Sequence, residues 1–194
     1  MDISPADIKK LREQTGISVM QCKKALEEAE GDTDKALIIL KKKSKEAADK
    51  KVDRELGAGA VGVYTHNTNE VAAMVLLASE TDFVSKNGEF VALAREIAMH
   101  VAATSPAYLS REDIPAADLE KAKEVFAAEV KDKPEDMREK IMEGKLTSYF
   151  KEQILLEQPF VKNPEQTIGE MVKEAVQKFG ENVQIIEFKR LSVK

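Results

Sequence analysis

Val71 to Ala78 reads Val-Ala-Ala-Met-Val-Leu-Leu-Ala, and this unbroken apolar run constrains the fold more than any other feature. It is far short of the ~20 residues that cross a bilayer as a helix. It suits a strand, and because both alternating faces are apolar, that strand is expected to be covered on both sides. Ala60 to His66 reads as a second strand, and Asn67-Thr68-Asn69-Glu70 between the two is a hairpin turn. A third strand is predicted from Val183 to Val193, where Ile186 and Phe188 alternate with Glu187 and Lys189. A sheet built from such strands needs helices to bury its apolar residues.

The rest of the chain supplies them. Ser4-Pro5 is an N-cap followed by proline at the first helical position, and Thr15-Gly16 ends that helix. Ser18 caps a second helix, with Gln21 in the capping-box position and Cys22, Leu26 and Ala29 at helical spacing until Gly31. Asp32 opens a third, carrying Ala36, Leu37 and Leu40. Three helices of about ten residues share only a thin core, so this bundle is expected to be modestly stable alone. The charged stretch 41–55, ending at Leu56-Gly57-Ala58-Gly59, reads as a helical connector. Two domains are expected, 1–51 and 52–194. In the second, Phe90, Leu93, Ile97 and Val101 mark the buried stripe of a helix that follows Asn87-Gly88. Pro106, Pro115, Pro134, Pro159 and Pro164 punctuate a helical half. Leu119, Ala122, Phe126 and Val130 form one amphipathic face there, and Ile168, Met171, Val172, Ala175, Val176 and Phe179 form another, stopped by Gly180. The predicted class is α+β: a helical bundle, a connector, and an antiparallel sheet packed with helices.

Composition narrows the function. Hydrophobic residues make up 43% and charged residues 34% of the 194, enough for a core and a solvated surface. Met1-Asp2-Ile3-Ser4-Pro5 has neither the basic start of a secretion signal nor the Arg-rich character of a transit peptide, so a cytoplasmic protein without membrane attachment is expected. A single cysteine, Cys22, excludes an internal disulfide framework and a Cys-rich zinc site. Residues 1–51 carry 12 basic and 10 acidic side chains, the remainder 18 and 25. The pI of 5.3 lies far below the values above ~9 typical of nucleic-acid-binding domains. The run Lys41-Lys42-Lys43-Ser44-Lys45 is offset by Glu46 and Asp49 and reads as a solvated helix face. With no tryptophan and 5% aromatics there are few platforms for stacking bases, and no direct nucleic-acid partner is expected.

Candidate catalytic groups are scarce. His66 sits at a strand end beside a turn, as surface residues do. His100 lies along the apolar stripe of its helix, where a packed histidine with satisfied nitrogens is the simpler reading. Cys22 belongs to an amphipathic helix as a small buried thiol. Gly57-Ala58-Gly59-Ala60-Val61-Gly62 has the GxGxxG spacing but precedes a strand, so it is no dinucleotide fingerprint. No catalytic residue, cofactor or metal is expected, and the residues favour a binding protein over an enzyme. One segment does not read as plain scaffold: Glu80-Thr81-Asp82-Phe83-Val84-Ser85-Lys86-Asn87. Either Asp82 caps the following helix while Phe83 tucks into the core, or Phe83 is an aromatic anchor on a rigid mount, ready to enter a partner's pocket.

Thr81-Asp82-Phe83-Val84 resembles the signature of the elongation factor Ts family, the guanine nucleotide exchange factors of elongation factor Tu. Leu11-Arg12-Glu13-Gln14-Thr15-Gly16 followed by Met20-Gln21-Cys22-Lys23-Lys24-Ala25-Leu26 is similar to the family's N-terminal signature, and Leu155-Leu156-Glu157-Gln158-Pro159-Phe160-Val161-Lys162 to a third block. Ser79 stands where many members carry cysteine, and Val19 where methionine is frequent. The resemblance implies a three-helix bundle like the ubiquitin-associated fold, docking through Arg12, Val19 and Met20 on the partner's nucleotide-binding domain. It implies that Thr81, Asp82, Phe83 and Val84 insert near the partner's magnesium site and loosen GDP, so that GTP rebinds. One copy of the strand-strand-helix unit resembles the short form of the family, for which a homodimer is expected. The alternative is an adaptor whose bundle binds a ubiquitin-like protein or nucleic acid.

Overall fold

A computed structural model describes residues 3–131 and 134–193. Helices α1 (Pro5–Thr15), α2 (Val19–Glu28) and α3 (Thr33–Asp49) form the N-terminal bundle. Each starts at a side-chain cap: Ser4 accepts from the Asp7 N–H, Ser18 from Gln21, and Asp32 from Asp34 and Lys35. Leu11, Ile17, Cys22, Leu26, Ala36 and Leu40 interlock as its core.

Strands β1 (Ala58–Thr65) and β2 (Val71–Ser79) follow as an antiparallel hairpin, then a single helical turn α4 (Asp82–Ser85) and the long α5 (Gly88–Thr104). Helices α6 (Ala116–Val130) and α7 (Glu135–Lys151) lie together over a small cluster of Ala122, Phe150 and Ile154. A two-stranded ribbon, β3 (Pro159–Phe160) with β4 (Asn163–Thr167), leads into α8 (Ile168–Phe179) and β5 (Val183–Ser192). The main sheet is antiparallel in the order β1-β2-β5. Its inner face presents Ala73, Val75, Leu77 and Ile185 to Phe90, Ala94, Ile97 and Val101 of α5 and to Ile168, Val172 and Val176 of α8. Burial of each large apolar side chain contributes about 1.5–3 kcal/mol. Gly62 lets α5 settle directly on β1: a Cβ there would stand 2.1 Å from the carbonyl carbon of Ala94.

Four expectations change. The run Val71–Ala78 is covered on one face only, because β2 has helices on a single side and leaves Met74 and Leu76 exposed. α3 is 17 residues long and absorbs the basic run and much of the predicted connector. The segment 41–49 has no glycine or proline to stop it, and its Ser44 is buried against α8, where it bonds Gln177. The Gln21 side chain does not complete a capping box with Ser18; its Oε1 accepts from Gln177 at 3.1 Å. Pro159 and Pro164 lie in the β3–β4 ribbon instead of bounding helices, since a two-stranded ribbon leaves edge positions that need no donor.

Candidate functional site

Between β2 and α5 the chain makes the tight excursion Glu80–Asn87, and its backbone is fastened from behind. The Thr81 N–H and hydroxyl both donate to the carboxylate of Glu181, at 3.0 and 2.5 Å. Glu80 accepts from the Asn182 N–H at 2.5 Å and from the Arg54 guanidinium at 3.3 Å. The Ser79 hydroxyl donates to the Thr81 carbonyl at 3.0 Å. The turn α4 closes on itself as the Ser85 and Lys86 N–H groups donate to the carbonyls of Thr81 and Asp82. Val84 is buried beneath it, and the Asn87 side chain caps α5 by accepting from the Glu89 N–H at 2.9 Å.

With Val84 directed inward, Phe83 is directed outward and is 85% exposed. The reading that tucks Phe83 into the core is thus corrected: the one turn of α4 has room for a single inward side chain, and Val84 takes it. Asn87, not Asp82, caps α5. Asp82 is the first residue of α4, paired with Lys86 at 2.7 Å. The hydrogen bond and charge of Lys86 hold the Asp82 carboxyl below the usual carboxylate range, and Asp82 in turn raises the Lys86 ammonium. Both groups are fully exposed, so the pair is screened and available to a partner. The loop therefore presents an aromatic ring and an anionic group on a backbone that cannot slacken without breaking several hydrogen bonds.

Arg12, Val19 and Met20 lie elsewhere, on the last turn of α1 and the first of α2. All three are exposed, Val19 at 48% and Met20 at 62%, over the buried Leu11 and Ile17. They belong to different elements from the Thr81–Val84 loop, and the C-terminal end of α8 reaches both neighbourhoods: Gln177 bonds Gln21, and Glu181 just beyond the helix holds Thr81. Glu181 and Asn182, which hold the loop, escaped sequence reasoning. Each acts from about 100 residues downstream, and the only local sign was that Thr81 and Glu80, polar residues at a strand end, need partners.

The remaining candidates are quiet. His100 is fully buried, with Nδ1 accepting from the Val161 N–H at 3.3 Å and Nε2 facing Oε1 of Gln158 at 2.9 Å. Cys22 is buried in the bundle, its Sγ 3.6 Å from the Ile17 carbonyl. His66 bonds Thr68 on the surface hairpin. Among the described residues no three His, Cys, Asp or Glu side chains converge to hold a metal ion, and no helix is long and apolar enough to cross a membrane.

Comparison with known proteins decides the family. A family model described as elongation factor TS matches residues 45–194. Elongation factor Ts of Thermosipho melanesiensis is 45% identical over 193 residues, spanning 98% of each chain. That of Thermodesulfovibrio yellowstonii is 46% identical over 194 residues, all of this chain and 97% of its own. That of Herpetosiphon aurantiacus is 44% identical over 195 residues, all of this chain and 98% of its own.

The chain belongs to the elongation factor Ts family.

Elongation factor Ts proteins are guanine nucleotide exchange factors for elongation factor Tu and have no catalytic site of their own. This member accordingly binds elongation factor Tu carrying GDP and promotes release of the nucleotide; it is not an enzyme. The adaptor alternative is not what these relatives support.

Proposed function

We propose that exchange proceeds through two separate contacts with elongation factor Tu. Arg12, Val19 and Met20 dock the bundle on the partner's nucleotide-binding domain. Thr81, Asp82, Phe83 and Val84 then enter beside the magnesium ion and the groups that hold the GDP phosphates. Burying the Phe83 ring supplies about 1.5–3 kcal/mol toward holding a strained partner. Asp82 pulls on the cationic and hydrogen-bonding groups that support the magnesium shell. A lone carboxylate is a poor site for magnesium, which needs near-octahedral coordination, so the ion is displaced and not captured. Because binding is reciprocal, GDP weakens the factor's hold by the same factor by which the factor weakens GDP's, typically about 1–3 kcal/mol. GTP then rebinds and drives the factor off.

The observation that carries this reading is Phe83, 85% exposed on a turn fastened by Glu181. A large apolar side chain so held in water is an anchor awaiting a pocket. Replacing Asp82 and Phe83 together by alanine should slow release of labelled GDP from elongation factor Tu, read by stopped flow, at least tenfold, while the melting temperature stays within a few degrees. An unchanged rate would reject the wedge.

Further parts of the reading concern organisation. The bundle is of the ubiquitin-associated type, and 1–51 and 52–194 act as docking and core domains; the family model's match beginning at residue 45 supports a division near there. The chain works in the cytoplasm without touching nucleic acid. It pairs as a homodimer, giving a two-plus-two complex with elongation factor Tu. In support, the outer face of the sheet exposes Val61, Val63, Met74, Leu76 and Leu191.

A further inference from the structure

Gln177 and Lys178 stand next to each other at the end of α8 and reach to different places. The Gln177 amide nitrogen donates to Oε1 of Gln21 at 3.1 Å, and its amide oxygen accepts from the hydroxyl of the buried Ser44. One side chain thereby ties α2 and α3 to α8, and it holds α2 at the residue immediately after Met20. Lys178 passes over the corner between α1 and α2. A Cβ on Gly16 would lie 2.8 Å from its Nζ and 3.1 Å from its Cε. Glycine suits position 16 for its φ of 66°, and its missing side chain leaves room for the lysine tip to lie close over the corner. Past Gly16, Nζ meets Oε1 of Glu89 at 2.7 Å. Glu89 is in the first turn of α5, two residues beyond Asn87, where the loop ends. Directly after α8, the Gly180 carbonyl accepts from Lys51 at 2.7 Å and Glu181 grips Thr81. The docking corner and the loop are thus both tied to residues 177–182.

We infer that Gln177 and Lys178 are positioning residues for nucleotide exchange, fixing the corner of Arg12, Val19 and Met20 at one distance and orientation from Phe83. The inference rests on the two-contact reading above. When two contacts share one mount, seating the first presents the second to its site at high effective concentration, and slack in the mount lowers that concentration. Stability is a poor explanation for the ion pair. The Lys178 and Glu89 side chains are 26% and 67% exposed, and ion pairs of that kind contribute about 0–1 kcal/mol. Hydrogen bonds and an ion pair do supply direction, which apolar packing at the same seam would not.

The test is the full-length chain carrying Gln177→Ala and Lys178→Met, the latter keeping the stem over Gly16 while dropping the charge. Stopped-flow release of labelled GDP from elongation factor Tu is read as a function of factor concentration. The maximal release rate should fall about tenfold, a modest part of what linking two sites supplies. Docking affinity, measured in a Phe83→Ala background so that the wedge makes no contribution, should stay the same. An unchanged maximal rate overturns the inference, and so does a docking affinity that falls as far as the rate. Should the variant melt early, the charge reversals Glu89→Lys and Lys178→Glu take its place. Loss in each single reversal with recovery in the double supports positioning, and equal loss in all three overturns it. Failure of the underlying reading has its own signature: Phe83→Ala alone would then release GDP as fast as the unaltered chain.

Discussion

His100 is fully buried on α5, with both ring nitrogens engaged by Val161 and Gln158. Nδ1 accepts a backbone proton, so Nε2 carries the ring's single hydrogen and the neutral form fits the site. Burial is the main cause that pushes its pKa below the ordinary 6.5, with the Gln158 bond opposing. Below about pH 6.5 the unfolded chain binds a proton that the folded chain resists, so stability is in full above that pH and declines as pH falls beneath it. Burial raises Glu174, a shift of the opposite kind, and it is present in any His100 variant. Urea unfolding at pH 5 and 7.5 should therefore show a larger loss for the unaltered chain than for His100→Asn, whatever the variant's absolute stability; equal losses would reject the buried neutral imidazole. The helical stripe made this residue legible in the sequence. It could not reveal which of Phe83 and Val84 points outward, because that choice is set by Glu181 and Asn182, folded back from the far end of the chain.

At the level of elements, close approach decides the fold more than propensity does. Gly62 lies against the backbone of Ala94 and Arg95, atoms that cannot swing aside as a side-chain tip can. Gly62→Ala should push α5 off β1 and cost about 3 kcal/mol or more in urea unfolding, at or beyond the upper end of ordinary overpacking. A cost under about 1 kcal/mol would show that the helix slides. The bundle's three helices were legible because their caps and glycines are local signals. The length of α3 was not, since Ser44 is held by Gln177 of α8, more than a hundred residues away in sequence, and Ala48 packs against the core beneath the sheet. That tertiary hold alters what truncation does. Removing residues 1–51 strips α3 from α8 as well as deleting α1 and α2, whereas removing 1–32 leaves α3 in place. Melting curves should place the shorter deletion above the longer one by several degrees, with both weakened in docking. If the two melt together, α3 belongs to the bundle alone.

Over the whole molecule, the sheet is a two-sided object with one side filled. Helices α5 and α8 cover the inner face, while the outer face carries Val61 opposite Leu76 and Val63 opposite Met74. Leu191 stands across from Ala72, and Ile186 is exposed at the bulge where β5 shifts register against β2. The charged residues of these rows, Glu187 and Lys189, neutralise each other at 2.9 Å. The apolar run of β2 has the composition of a strand covered on both sides; within the described chain only one side of it is covered. In the proposed homodimer a second copy would supply the rest through a two-fold face-to-face contact, two-fold pairing being the commonest closure for soluble chains. The proposed pairing would be non-covalent, because Cys22 is buried inside the bundle. Met74→Glu together with Leu76→Lys tests it without harming the monomer. The carboxylate introduced by the first change would lie across from Lys189 and the ammonium introduced by the second across from Glu187, where cross-strand charges of opposite sign are favourable. In a dimer the same charges would be buried against apolar residues at high cost. Sedimentation equilibrium at micromolar concentration should give about twice 21.5 kDa for the unaltered chain, with or without reducing agent, and 21.5 kDa for the double variant with its circular dichroism intact. A single 21.5 kDa species for the unaltered chain would leave the outer face bare, and a doubled mass lost on reduction would replace the apolar contact with a disulfide.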